Sequence, residues 1–442
     1  MSATERIQSL AAAGRTPKQT ILQSMKDTGK KAIGCFPIYL PEEIIYASEL
    51  LPVGMWGGQT AMKEVDRYIQ GFGCSIMRAN MELGIRGTYR FLEAIVIPTY
   101  CDTMKSILAN WIIAVEEPKV FPYTVLQNRQ SSGSLAFILH QNEKLRGELA
   151  QLIGRPITDG DIEEAFAVYE AYRAAMRRFV ALVKDYPVSL NPTDRHLVMK
   201  AAWFMDKKLY TQQLTELMDK LEAQPKERSV GPKVVVTGLM TEPVKLLEAF
   251  TENGYTFVAD DLAHESRQFR TLSRNEGTTM ERIACRMLDL RGDTFFYEEN
   301  KSKGPRLIQA VKELGADGVV VCMFKFCDPE EFDYAAIPPC CCPAPGSVFP
   351  FSQPGNWKAR RSAQRELLRQ WQSPGSCFRP ACGRRCLTDG RSSRGTWGPP
   401  GIFDVRLWLR PCLPLPGIRP LRSLPYSRKS CSFPLPGGRP LH

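Results

Sequence analysis

Cys101 and Cys327 stand in the same local setting: each follows an apolar run, Ala94–Pro98 and Gly318–Phe324, and each is followed by aspartate. After Cys327 the chain reads Asp328-Pro329-Glu330-Glu331. That order supplies an N-cap, a proline suited to the first helical position and acidic groups for the first turn. Both thiols are therefore expected at a strand's carboxyl end and a helix's amino end, where the thiolate is favoured. Cys74, in Phe72-Gly73-Cys74-Ser75, precedes another helical stretch and offers a third sulfur. Three convergent thiolates without histidine partners fit an iron–sulfur cluster that leaves one iron to a non-protein ligand. They fit zinc less well, because the four histidines are isolated along the chain and no C-x-x-C pair occurs before residue 335. On spacing alone, three scattered cysteines read more readily as buried core residues.

The elements that must position these thiols alternate. Residues 31–36, 51–56 and 94–98 are extended apolar runs separated by helical stretches, one opened by Pro41 with Glu42 and Glu43 in its first turn. Strand, turn and helix in repetition predict a parallel α/β sheet. Residues 158–226 change period. Ile162, Phe166, Tyr169, Met176, Phe179 and Val183 follow helical spacing between Thr158 and Pro187. A second helix is expected over 195–223, with Val198, Met205, Leu209, Leu217 and Leu221 on its apolar side. After a linker at 227–232, strands at 233–237, 255–259 and 318–324 and helices at 242–253 and 305–314 predict a second α/β unit. Ligands of such sheets sit beyond the carboxyl ends of the strands, which points to Asp260 and Asp261 and to the segment after Phe324. The fold expected is α/β: two Rossmann- or flavodoxin-like parallel-sheet lobes with a helical insert. Its parts are a helical arm (1–29), a first lobe carrying Cys74 and Cys101 (30–157), the insert (158–226), a second lobe carrying Cys327 (227–334), and a tail (335–442).

Charge separates the tail from the rest. The chain's formal net charge is +11, yet residues 335–442 hold 17 Lys and Arg against 3 Asp and Glu, leaving the first 334 residues at −3. The body offers no electrostatic argument for nucleic acid. The N-terminus has no apolar signal segment, and the longest clean apolar run, 106–115, is well short of the ~20 residues of a membrane span. A cytoplasmic protein with reduced thiols is expected, so the body's cysteines read as ligands or core residues rather than disulfides. Cys35 and Cys322 are expected as strand core thiols and Cys285 as an inert helix residue. Asp260, Asp261, Glu265 and Arg267 read equally well as cleft lining and as surface charge. No residue presents itself as a catalytic acid or base.

Three segments read together resemble the 2-hydroxyacyl-CoA dehydratase and benzoyl-CoA reductase family: KKAIGCFPIYLPEEIIYASELLPVGMWG (30–57), IPTYCDTMKSI (97–107) and MFKFCDPEEFDY (323–334). KVVVTG and, later, ADDLAHESRQF (259–269) add to the likeness, which is nearest to the β-type subunits acting on (R)-2-hydroxyglutaryl-CoA. The resemblance implies a heterodimer with a homologous α subunit, each subunit holding a three-cysteine [4Fe–4S] cluster between two lobes. It implies a separate ATP-dependent iron–sulfur activator that injects one electron. The acyl-CoA thioester then passes through a ketyl radical and loses its 2-hydroxyl, giving a 2-enoyl-CoA. Carried over, Cys74, Cys101 and Cys327 match the three ligands, and this subunit relays the electron. FMN is the other cofactor the resemblance admits. A subunit of a benzoyl-CoA-type reductase and a non-catalytic truncated remnant are the rival expectations.

The likeness stops at Tyr334. Family members continue with a helix and a strand, whereas here Ala335-Ala336-Ile337-Pro338-Pro339-Cys340 follows, and proline ends a helix. The helix that Asp328 should open is expected to fail, and the Pro-, Arg- and Cys-rich remainder, with PLPGIRPL (414–421) and PLPGGRPL (434–441), to be disordered. A frameshift or fusion near Ala335 is the expectation, with a basic nucleic-acid-binding arm as the rival. Cys382 and Cys386 lack the second pair a zinc site needs. An unclosed sheet beside Cys327 predicts reduced stability, poor cluster retention and low activity.

Overall fold

Four short all-apolar or mixed runs build the first sheet: β1 (Ala32–Cys35), β2 (Leu51–Gly54), β3 (Ala94–Pro98) and β4 (Lys119–Tyr123). They pair in parallel in the order β2-β1-β3-β4. Every residue of β1, β2 and β3 is buried, as expected where helices cover both faces of a parallel sheet. β4 is an edge strand, and its Pro122 occupies a place where a missing N–H is tolerated. The connecting helices are α3 (Glu42–Ala47), α4 (Ser75–Ile85), α5 (Asp102–Ala114) and α6 (Ser134–Ile153), preceded by α1 (Ala3–Arg15) and α2 (Pro17–Thr28). β4 and α6 were not among the expected elements.

The computed structural model describes residues 1–229, 231–335, 337, 349–351 and 403–409, all within one compact unit. In the middle of the chain, α7 (Asp159–Val183) starts at Thr158 with a capping box to Asp161, and the six residues expected on its stripe are buried. The single helix expected over 195–223 is instead two, α8 (Pro192–Ala201) and α9 (Lys207–Glu222). Asp206 breaks it: its side chain accepts from the N–H groups of Lys208 and Leu209, capping a new helix start. The break leaves Leu209 at the surface rather than on the apolar side.

The second sheet contains β5 (Lys233–Gly238), β6 (Thr256–Leu262) and β7 (Gly318–Phe324), parallel in the order β6-β5-β7, with α10 (Val244–Glu252), α11 (Thr279–Leu288) and α12 (Lys303–Leu314) between and around them. β6 runs through Asp260 and Asp261 rather than ending before them. The expected failure of the helix after Cys327 is corrected: α13 (Asp328–Tyr334) forms two turns before the prolines intervene. Part of the tail lies among the described residues. Two of its segments, β8 (Phe349–Phe351) and β9 (Phe403–Leu409), are strands, and β9 pairs antiparallel with β7 from Gly318 to Phe324. The edge expected to be open is therefore lined by backbone. Cys340, Cys382, Cys386 and both PLPG repeats lie outside the described residues.

Glu43 of α3 fastens the helices around the first sheet. It is fully buried, 2.6 Å from an Arg173 nitrogen on α7 and 2.9 Å from one of Arg286 on α11. Burial pushes its carboxyl up, but the two guanidiniums outweigh that and hold it at about 2, against an ordinary 4.5. A carboxyl depressed by folding stabilises fully above its unfolded pKa and loses that contribution as pH falls through the folded value. Between pH 4.5 and 2 this group alone should cost ~3 kcal/mol of stability. Urea unfolding of Glu43→Gln beside the parent across that window tests it; the parent should lose stability more steeply, and identical slopes would refute the assignment.

Candidate metal centre

All three expected thiols occupy the same structural position. Cys74 is the N-cap of α4, Cys101 of α5 and Cys327 of α13. Serine or aspartate is usual there, its side chain facing the free N–H groups of the second and third helical residues. Here a thiol takes that position, without a cap hydrogen bond. The N–H groups of Met77 and Ile76 favour the Cys74 thiolate, those of Met104 and Thr103 the Cys101 thiolate, and that of Glu330 the Cys327 thiolate. In α13 the second position is Pro329, which has no N–H, so Glu330 alone serves.

The strands bring these caps together. In an open parallel sheet the ligand crevice lies where the strand order reverses, here beyond the carboxyl ends of β1 and β3 in one sheet and of β5 and β7 in the other. One cavity of about 30 Å³ is lined by Pro37 and Ile38 after β1, Cys101 and Thr103 after β3, Leu239 after β5, and Phe326, Cys327 and Asp328 after β7. Cys74, Met77, Met104, Phe295 and Pro329 complete it. The two switch points thus face one another, and thiols from both sheets meet between them. Cys74 and Cys327 are buried, Cys101 half-buried, and all three are free thiols.

Their protonation is uneven. The Cys327 thiol donates toward Cys74, which lowers Cys74 in spite of its burial. The same contact, together with burial, raises Cys327. Burial pushes Cys101 up to about 11, because the loss of water outweighs the N–H groups facing it. The expectation that helix starts would lower the Cys101 and Cys327 thiols is corrected: burial raises the first, and contact with Cys74 together with burial raises the second.

The donor set fits an iron–sulfur cluster better than a single ion. Tetrahedral zinc, with Zn–S bonds of about 2.3 Å, gathers its sulfurs within about 4 Å of one another. Among the described residues, His196, His264 and Glu265 form the group whose ligand atoms lie within 4.8 Å of each other; the three thiols do not. Cys74 and Cys327 are nonetheless in hydrogen-bond contact, so the absence of histidine from the donor set, rather than the spacing, favours a cluster. The cavity suits a compact inorganic group; flavin and acyl-CoA sites run to ~300 Å³ or more, so the cavity gives FMN no support.

A buried ionic network holds α13 in place, and sequence reasoning missed it. Arg267 is fully buried, 2.9 Å from Glu330, 3.0 Å from Asp261 and 3.7 Å from Asp293. Glu330 also takes a bond from Lys303 at 2.6 Å, and Asp293 accepts from Tyr39, which follows the cavity-lining Ile38. Asp260 pairs with Arg195, as does Glu265. Asp260, Asp261, Glu265 and Arg267 therefore neither line a cleft nor lie at the surface. Cys35, Cys285 and Cys322 are buried away from the cavity lining.

Residues 37–341 match the family described as 2-hydroxyglutaryl-CoA dehydratase, D-component. The (R)-phenyllactyl-CoA dehydratase beta subunit of Clostridium sporogenes is 38% identical over 318 residues, 72% of this chain and 85% of that one. Lactoyl-CoA dehydratase subunit beta of Anaerotignum propionicum is 37% identical over 337 residues, 76% and 89% of the two chains. The (R)-2-hydroxyglutaryl-CoA dehydratase subunit beta of Acidaminococcus fermentans is 34% identical over 342 residues, again 76% and 89%. These relatives name three different acyl chains at closely similar identities, so identity singles out no substrate. Among the described residues no helix is long and apolar enough to cross a membrane.

Proposed function

Since the chain belongs to the 2-hydroxyglutaryl-CoA dehydratase D-component family, whose members are subunits of hydro-lyases, we propose that it is the electron-relaying β-type subunit of a 2-hydroxyacyl-CoA dehydratase. The observation that carries this reading is the meeting of Cys74, Cys101 and Cys327, each an N-cap, at one cavity between two sheets. These thiols would hold a [4Fe–4S] cluster, which supplies one-electron transfer at low potential.

The chain's own residues prepare that site. The N–H groups of Ile76, Met77, Thr103, Met104 and Glu330 face the sulfurs and favour their anionic form. Phe295, Met77, Met104 and Leu239 give the cavity apolar walls. Apart from the thiols, Asp328 is the one ionisable side chain among the described residues of the lining, which suits electron relay better than removal of a substrate proton. The cavity is too small for an acyl-CoA, so the thioester belongs on a homologous partner subunit. The reading includes an ATP-dependent iron–sulfur activator as donor and an (R)-2-hydroxyacyl-CoA, with 2-hydroxyglutaryl-CoA the first substrate to try.

Anaerobic purification with iron and sulfide analysis and an EPR spectrum tests the proposal on this chain and on Cys101→Ala. About four irons per chain are expected, lost or sharply reduced in the variant. An iron-free, colourless parent, or an unchanged iron content in Cys101→Ala, would sink it.

A further inference from the structure

Where β5 and β6 end, a second set of ligand atoms converges. His196 comes from α8, and His264 and Glu265 from the turn after β6; one ligand atom of each lies within 4.8 Å of the others. All three residues are at most 2% exposed. His264 packs edge-on to Trp56 at 4.7 Å and lies 5.5 Å from both Trp203 and His196, centroid to centroid. Neither of its ring nitrogens has a hydrogen-bond partner. Leaving such a group buried and unpaired is costly, and an apolar ring would fill the same space without that cost. Burial also keeps the imidazole neutral, down to about 3, so its lone pair stays available.

The surroundings are those a bound cation needs. Glu265 Oε1 lies 2.8 Å from His196 Nδ1, while Arg195 holds Oε2. His196 Nε2 lies 3.1 Å from Glu242 Oε1, and Lys200 anchors Glu242. A carboxylate on the far nitrogen of a ligating imidazole fixes its tautomer and strengthens it as a donor. Thr241 Oγ1 stands 3.1 Å from His196 Nδ1, at the edge of the same space.

We propose that His196, His264 and Glu265 bind one divalent transition-metal ion, zinc in the first instance, at a site separate from the thiols. Two imidazoles and a carboxylate form a nitrogen–oxygen set that zinc accepts readily. Binding forms three dative bonds and releases the Nδ1 proton of His196 to solvent; no electron is exchanged. The ion would join α8 to the turn after β6, with Thr241 and Glu242 of the segment after β5 reaching it only through His196. It therefore braces the helical segment against the second sheet, beside Leu239, whose carbonyl accepts from the His264 N–H at 2.8 Å and whose side chain lines the thiol cavity.

The test uses the full chain, stripped with a chelator and titrated with zinc, beside His264→Phe and Glu242→Gln. Because other cysteines can hold zinc of their own, the reading is the difference: His264→Phe should bind one equivalent fewer, and Glu242→Gln should bind that equivalent ~10- to 100-fold more weakly. Cobalt loaded into the unmutated chain should show visible d–d bands of a nitrogen–oxygen site, and these should persist when Cys74, Cys101 and Cys327 are serine. Equal zinc content in the parent and His264→Phe, or cobalt showing only thiolate charge transfer, overturns the proposal. Should His264→Phe fail to fold, the cobalt spectrum of the chain with those three cysteines replaced decides alone. Retention of zinc by a chain that has lost its iron would also keep this site's fate apart from that of the thiol site.

Discussion

Arg267→Met should destabilise the protein by about 3–5 kcal/mol and, on the cluster proposal above, strip most of the iron those thiols would hold. Removing one partner of a buried ion pair leaves the others uncompensated, and that is where losses of this size arise. Here three carboxylates, on Asp261, Asp293 and Glu330, surround a guanidinium with no exposed surface. Lys303 still serves Glu330 and Arg270 still serves Asp261, but Asp293 keeps only the Tyr39 hydroxyl and local backbone. An exposed pair such as Lys105–Asp102 is worth about 1 kcal/mol at most, so the two are easily told apart. Iron should follow because Glu330 carries both the side chain that Arg267 holds and the N–H that faces the Cys327 sulfur. Denaturant unfolding under anaerobic conditions, with iron analysis of the same samples, measures both; a loss below about 1 kcal/mol would mean that water replaces the guanidinium.

Gly238→Ala should be worse, costing more than about 4 kcal/mol or yielding no soluble protein, the range reserved for backbone conflict or buried charge. An added Cβ would sit 2.0 Å from the Cys322 carbonyl oxygen and 2.8 Å from its carbon, at a φ of +130° that side chains other than glycine rarely adopt. The atom it meets is main chain, so no rotamer change relieves it. Shifting β5 would break its pairing with β7 at Cys322 and with β6 at Leu262. Gly147→Ala is the contrast: it lies inside α6 with nothing within 4 Å of a new Cβ, and should gain roughly 0.5–1 kcal/mol from the better helix former. Thermal melts of the two variants make the comparison, and a soluble Gly238→Ala with a near-parental melting temperature would show that the strand ends give way.

The parts of this architecture that sequence could reveal are those governed by neighbours in the chain. AIVIP and GVVVCMF read as buried parallel strands because both their faces meet apolar groups, and the thiols beyond them read as helix starts because Asp328-Pro329-Glu330 is local chemistry. The break at Asp206 was also local, yet the apolar spacing carries across it and concealed a cap that any aspartate can supply. Asp260 and Asp261 looked like a strand's end because charge normally marks one. Inside β6 they are tolerated only because Arg195, Arg267 and Arg270 reach them from elsewhere. The group formed by His196, His264 and Glu265 was beyond reach for the same reason: no periodicity relates residue 196 to residue 264. The thiol protonation reversed for Cys101 because burial depends on tertiary packing, which a helix-start argument does not contain.

The supply of thiols from both sheets has a further consequence, in chain entropy. Cys101 and Cys327 are 226 positions apart in sequence, and a cluster bonded to both would close that span as a cross-link. By the loop-closure relation used for disulfides, such a tie removes about 5 kcal/mol of freedom from the unfolded chain. It does so however few contacts join the sheets. Oxidative loss of a cluster held there would then remove a tether along with an electron carrier, and the two sheets would be left to hold together by packing and buried ion pairs alone.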